Sequence, residues 1–428
     1  MMKDSDSMQN SQSHSNPSIN STNKLHSSTP SLKKALSREL YTPVLPKKAI
    51  QQRIGSQNNL KFKKILEGEE SEKEPDTSGI LKWRWSRREH SEIFAVKFTR
   101  DGHFLAVAGG NGNISVYSTN TNSKEFVLEP QQEFPMPCNS IAFRPDLPSY
   151  KNKNVLAAAY SDGTIRHWHA TSGTLMGEIK GDDVQILHIS YEQQGSQFVT
   201  ASTDNFIRVY DGQTHQLTFN GKNLQENGPI GHSNRVFCAK FHPKDPNMIV
   251  SGGWDDCIQV ATNQLNIYRY VQKAKHYYRY GTLERQIQRL FGPHICGDAI
   301  DFNDSGSTIA TGSYAKDNSL QLWDWSTGNL TQSIETNCLL YSIQYSRGRE
   351  SPADPGRSNR FLLTAGSGAV NEMKMLSSDT YRALGTVSKL NCALYSVAMS
   401  DNDKYVALGG AGKMLMFFDL DEQIENNK

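Results

Sequence analysis

Cys138, Cys296, Cys338 and Cys392 recur just before or within similar apolar runs, and thiols at matched positions are ligands for a soft metal ion. Zinc held by thiolates needs sulfurs within about 2.3 Å of one ion, commonly from closely spaced CxxC pairs. The chain has no CxxC, so reduced buried thiols are the simpler reading. Asp298 and Asp301 flank Ile300, and paired carboxylates can move protons. Neither has a nucleophile or acid partner at a recognisable spacing. His188 and His242 fall in an apolar run and in the turn after one, and read as polar fillers. Gly109-Gly110-Asn111-Gly112 is glycine-rich, but it joins two strand-like runs, whereas a phosphate loop joins strand to helix. The spacings GxxxxGKS/T, HExxH and GxSxG do not occur. The residues therefore assign no catalytic group, no metal site and no cofactor.

The elements around these residues repeat. An apolar alternating run ending in an aromatic or Met occurs seven times. Its copies end at Phe98, Phe143, Tyr191, Phe241, Phe302, Tyr345 and Met399, with about 50 residues between successive copies, against about 40–45 in common propeller blades. After each comes a turn, such as Arg100-Asp101-Gly102, and then a run rich in small residues, such as FLAVAGG at 104–110 or YVALGG at 405–410. A second tight polar turn leads to a third alternating run, such as SLQLWDW at 319–325. Period-two alternation between Asp, Gly and Asn turns is the signature of strands. Gly and Ala in the second run allow sheets to pack closely. Seven four-stranded units cannot each bury two faces alone, but stacked in a closed ring they can. The expected fold is all-β: a seven-bladed β-propeller of four-stranded antiparallel blades over 80–423, one domain of the 428-residue chain.

Before it, 1–79 reads as a disordered tail. Met1 to Pro30 is dominated by Ser, Asn and Gln, too polar to offset the entropy of ordering. From Lys33 to Lys64 nine Lys/Arg face Glu39 alone, and from Glu67 to Asp76 six acids face Lys73. Such blocks mark solvated, interacting tails. Thr29-Pro30 and Thr42-Pro43 are phosphorylation candidates beside the basic block. Residues 424–428 form a short C-terminal tail. The net charge of +2 makes no global case for nucleic acid or an anionic membrane. No apolar run approaches the roughly 20 residues of a membrane span, and the polar start reads as no signal peptide. Six cysteines suit a reducing compartment. The cytoplasm is the expected location, with the nucleus as the alternative.

The repeated units resemble WD40 repeats. Gly231-His232 opens unit four and Trp323-Asp324 closes the third run of unit five, the two dipeptides typical of that family. The resemblance implies a hydrogen-bonded tetrad inside a blade, made of a His, a second-strand Ser/Thr, a turn Asp and a third-strand Trp. Unit four offers His232, Ser251 and Asp255, with Ala261 at the Trp position. Unit five offers His294, Thr311, Asp317 and Trp323. Unit three offers Thr200 and Asp204, with Tyr210 replacing Trp, and unit two Asp162 and Trp168, with Ala158 at the Ser/Thr position. Units one, six and seven depart further, with Asn111 and Gly412 at the Asp position of the first and last. These polar residues are expected to be structural, because buried polar groups need partners. The resemblance also implies ring closure by one N-terminal strand. The last copy ends at Asp419 with three strands, so Ile80 to Trp85 is the expected fourth. Trp83 and Trp85 would share one side of it by the two-residue period and pack in the core.

Unit four carries an insert at 261–284. Between Ala261 and Phe291 lie five tyrosines and six Lys/Arg against Glu284 alone. Tyrosines among cations suit single-stranded nucleic acid, a protein-contact loop, or an insertion without a role. Two functions follow. The resemblance implies a non-catalytic protein–protein interaction scaffold, a monomer within a larger complex, binding other proteins or peptides through propeller loops. Arg100, Arg166, Arg208 and Lys413 are the expected charged contacts. The alternative is a nucleic-acid-associated adaptor using 33–64 and 261–284. A channel mouth carrying aromatics and charges would favour the scaffold; one uniformly basic face would favour the adaptor.

Overall fold

Alternating apolar residues build strands here because each strand lies between two sheets and buries both its faces. The computed structural model describes residues 74–181, 184–220, 232–262, 286–348 and 360–420. The basic stretch 33–64, nearly all of the insert 261–284 and the C-terminal 424–428 lie outside the described residues. The described strands form seven antiparallel sheets. Blade one runs Ile93–Phe98, Phe104–Gly109, Ile114–Ser118, Lys124–Leu128 from the inside outward, and the others repeat that order. First strands of successive blades neighbour one another all the way round, enclosing a central channel. Among the described residues there is no helix. The chain is thus the seven-bladed propeller that the repeats predict.

Apolar packing sits between blades. Seven buried clusters occur, and each straddles one junction between neighbouring blades. The small residues of the second strands are needed there. An added Cβ on Gly409 would lie 2.3 Å from Ile93 Cγ2 in the next blade. Within blades, at one repeated position, a Cβ on Gly253, Gly366 or Gly410 would lie 2.0 Å from the carbonyl oxygen of Arg235, Leu339 or Ala393, at or just before the start of the same blade's first strand.

The ring closes as expected: Leu81–Arg88 pairs antiparallel with Met414–Leu420 as the fourth strand of blade seven. Two expectations need correction. The ladder slips by one residue between Trp83 and Trp85, so Trp83 pairs with Phe418 and Trp85 with Phe417. That bulge cancels the two-residue period. Trp85 packs toward blade one and Trp83 toward blade six, on opposite faces. Ordered strand also starts before residue 80. Asp76–Gly79 adds a fifth strand to the outer edge of blade six, pairing with Ala383–Ser388. The unpaired amides and carbonyls of that edge provide its backbone partners.

Candidate functional site

Each first strand feeds the channel in the same way. In six blades its ladder with the second strand slips by one residue near the start. The skipped residues are Phe94, Asn139, Leu187, Phe237, Tyr341 and Tyr395. In blade five Asp298, just ahead of Ile300–Phe302, holds the equivalent place. A bulge re-aims its side chain, and all seven are half-buried. Three residues further on a second tier follows: Lys97, Ala142, Ser190, Lys240, Asp301, Gln344 and Ala398.

The upper tier makes an aromatic rim. Phe94 stacks on Tyr395 at 6.0 Å between centroids, and Tyr395 meets Tyr341 edge-on at 5.3 Å. Tyr314, from the turn between the second and third strands of blade five, continues the arc 5.1 Å from Tyr341. In blade four Phe237 stacks on Trp254 at 5.2 Å, and Trp254 on His294 at 5.8 Å, with the Arg235 guanidinium 5.6 Å from the Trp254 ring. Trp254 and Tyr314 are each 37% exposed. Burial, and then the Glu92 carboxylate, push the Tyr395 phenol up, so it stays a neutral hydrogen-bond donor.

Beneath the rim lies a charged hub. Lys97 of blade one donates to Asp298 Oδ2 at 2.7 Å, and Lys240 of blade four to Oδ1 at 2.8 Å. His188 Nε2 of blade three also lies 3.2 Å from Oδ1. Burial alone would raise the Asp298 carboxyl, but Lys240, Lys97 and His188 outweigh it and hold the group well below the usual carboxylate range. Asp301 is shared by Lys240 at 3.5 Å, Arg347 at 2.7 Å and the Tyr345 backbone N–H at 2.8 Å. With their partners, His188, Asp298 and Asp301 form a network across five blades, not the isolated fillers and orphan carboxylates that their spacing suggests.

The geometry argues against chemistry at the hub. His188, Cys238 and Asp298 approach within 4.8 Å, a spacing that could suit a metal ion. Two lysine ammoniums, however, already hold both Asp298 oxygens, and a metal cation would meet their repulsion. In blade four His232 Nε2 meets Ser251 Oγ at 2.9 Å and Nδ1 meets Asp255 at 2.9 Å. That order matches an acyl-transfer triad, but Ser251 is 2% and His232 3% exposed, inside the blade where no carbonyl substrate reaches. His232, Asp255 and Cys257 also cluster, yet both His232 nitrogens are engaged. Cys138 and Cys338 are buried, Cys296 half-buried and Cys392 exposed, and no described cluster joins the four.

The remaining expected residues divide. In blade five Trp323 Nε1 donates to Thr311 Oγ1 at 3.0 Å. His294 instead meets Asp256 of blade four at 2.6 Å, and Asp317 is exposed, so only half of that tetrad assembles. In blade three Tyr210 stacks on Phe198 at 5.0 Å, and Asp204 pairs with Arg208, four residues on, while the Thr200 hydroxyl stays buried. In blade two Trp168 packs in the junction with blade one and Asp162 binds the backbone N–H of Thr164.

Arg166 and Arg208 are not loop contacts. Both sit second in a third strand, 1% and 9% exposed. Arg166 Nε donates to Glu178 at 2.8 Å, and its guanidinium lies 4.4 Å from the Tyr160 ring. The Asp four residues earlier draws each arginine back along the blade. Arg100 is exposed at a turn, and Lys413 is half-buried, its ammonium donating to the His90 carbonyl at 3.4 Å. Blade one replaces the expected histidine with Glu89, which accepts from Ser115 at 3.1 Å, Lys124 at 2.9 Å and the Tyr117 hydroxyl. The sequence carries no sign of that exchange.

Four stretches, 82–118, 173–211, 224–260 and 287–324, match the family model of the WD domain, G-beta repeat. The chain is 21% identical over 278 residues to the WD repeat-containing protein slp1 of Schizosaccharomyces pombe, covering 61% of this chain and 47% of slp1. It is 24% identical over 159 residues to eukaryotic translation initiation factor 3 subunit I of Oryctolagus cuniculus, covering 37% of this chain and 43% of the relative. A ribosome biogenesis protein WDR12 homolog of Culex quinquefasciatus is 27% identical over 107 residues, covering 25% of this chain and 24% of the relative. The chain thus spans less than half the length of each of these relatives.

Proposed function

This chain belongs to the WD40-repeat β-propeller family, and from that premise we propose that it is a non-catalytic scaffold that seats a segment of a partner protein on the aromatic rim of its channel. One observation carries the reading: Phe94, Tyr395, Tyr341 and Tyr314 form a continuous, partly exposed arc at one channel mouth. Aromatic side chains dominate the energy of protein interfaces because they bury large areas while ordering few torsions. Bulges in a closed ring hold these rings in place before any partner arrives, which lowers the entropy cost of binding. Phe134, 80% exposed, and Met136, 41% exposed, lie in the loop entering the first strand of blade two, at the same end. They extend the apolar surface beyond the rim.

The relatives fit this reading, since one is by its name a subunit of a larger factor. Charges beside the rim are of both signs, with the Glu92 carboxylate near Tyr395 and the Arg235 guanidinium over Trp254, rather than a uniformly basic face. A monomer inside a larger assembly completes the proposal, with the cytoplasm as its place because six unpaired cysteines suit a reducing compartment.

The test is affinity purification of the full chain from native lysate, with and without nuclease, beside Tyr341→Ala/Tyr395→Ala. The scaffold reading expects nuclease-resistant partners that the wild type retains and the rim variant loses. Recovery that depends on RNA or DNA, or a partner set unchanged by the rim variant, would move the function to the basic segments.

A further inference from the structure

The hub below the rim holds more positive than negative charge. Lys97, Lys240 and Arg347 face Asp298 and Asp301, a surplus of one cation before His188 is counted. Lys97 is the least committed of them. It reaches from blade one to blade five, makes its bond to Asp298 alone among the hub carboxylates, and leaves 25% of its side chain exposed. An ammonium has three donors, and one contact with Asp298 leaves two directed elsewhere. A strut that served only to tie blades together would match its charges and gain nothing from an exposed amine. Lys97 also lies three residues from Phe94 on the same strand, and Phe94 stacks on Tyr395.

We infer that the channel receives an anionic side chain of the partner segment, a carboxylate or a phosphate, which passes Phe94 and Tyr395 and accepts hydrogen bonds from Lys97 Nζ. This rests on the scaffold reading and names the chemistry of its ligand. Aromatic faces alone would also attract a cation, but a cation entering here would approach Lys97, Lys240 and Arg347, and the same sign of charge that repels it draws an anion in. Burial keeps the Tyr341 and Tyr395 phenols protonated, so the aromatic collar adds no negative charge of its own to oppose an anion. Asp298 and Asp301 do not oppose the anion on equal terms, because each is already shared by two or more cationic partners.

The test uses degenerate nonapeptide pools whose central residue is fixed as Glu, Asp, phosphoserine, Gln or Lys, captured on the immobilised full chain. The inference expects the acidic and phosphoserine pools to be retained about tenfold over the Gln pool, the advantage of one charge-assisted hydrogen bond. It expects that preference to vanish in Lys97→Met and to survive in Lys97→Arg. Melting curves establish that both variants fold, since Asp298 keeps Lys240 and His188 in each. A preference for the Glu and Asp pools assigns the site to carboxylates; a preference for the phosphoserine pool assigns it to phosphate. Equal retention of the acidic and Gln pools, or an acidic preference that persists in Lys97→Met, overturns the inference. Tyr395→Ala separates the two readings. If it releases all pools alike while Lys97→Met changes nothing, the scaffold stands and the anion site falls. If it releases none, the scaffold reading fails first.

Discussion

Lys97 and Asp298 stand on blades one and five, 201 residues apart in the chain, and meet across the channel at 2.7 Å. The contact makes the propeller's interior a network as well as a ring of neighbours. Asp298 is the centre of it, because Lys240 and His188 converge on the same carboxylate.

Asp298→Ala should therefore cost far more stability than Lys97→Met. Removing the carboxylate leaves Lys97 without its carboxylate and Lys240 with only the longer contact to Asp301 in a semi-enclosed site, at a cost of about 3–5 kcal/mol. Losing Lys97 still leaves Asp298 two cationic partners, at a cost of about 1 kcal/mol. Urea unfolding of the two variants checks the order, and equal losses would refute a carboxylate-centred hub.

The two tetrads should respond differently. His232→Ala strands Ser251 and Asp255 inside blade four and should cost about 2–4 kcal/mol. Asp317→Ala, at an exposed turn, should stay within about 0.5 kcal/mol. Thermal melts of both variants measure the difference.

Acid should weaken the fold through His167. This imidazole is buried, stacks on His215 at 3.7 Å and has no hydrogen-bond partner on either nitrogen. Burial, with His215 and Arg144 adding to it, pushes its pKa down to about 3. The folded state thus keeps His167 neutral where the unfolded chain protonates it. Its contribution is complete above the unfolded value of about 6.5 and is lost as pH falls from there toward 3. Between pH 6.5 and 4.5 the loss should approach about 2–3 kcal/mol. His167→Phe should flatten that slope, and chemical denaturation at several pH values reads it.

Gly409→Val should destabilise the seam between blades seven and one. Even a Cβ meets Ile93 Cγ2 at 2.3 Å, so the larger side chain must displace a first strand, at about 3 kcal/mol or more. A double-mutant cycle of Gly409→Ala with Ile93→Ala, which removes Cγ2, should show the pair costing less than the sum of the two single changes in urea unfolding.

Much of the fold was legible because its causes are local. Period-two runs, turn residues and the small residues of second strands each act within a blade, and the seven copies are visible without knowing how blades meet. The closing strand was legible for the same reason, since Met414–Leu420 lacked a fourth partner. What escaped depends on single extra residues and on ring geometry. The bulges that turn Phe94, Phe237, Tyr341 and Tyr395 into the channel read as ordinary alternation, although the repeated aromatic one place in from the strand start was the signal to follow. The bulge beside Trp83 parted two tryptophans that a regular strand would keep together. Arg166 and Arg208 follow an Asp turn and so read as loop residues, whereas that Asp is their partner or neighbour inside the blade. No local pattern links Lys97 to Asp298. Only closure of the ring brings them face to face.

The most direct test of the rim as the working surface is hydrogen–deuterium exchange on the full chain, free and in the complex it forms in cells. The account predicts slowed exchange at the starts of the first strands of blades one, six and seven and in the turn carrying Tyr314, with the outer strands unchanged. Protection confined to the outer strands or to the opposite channel mouth would contradict it.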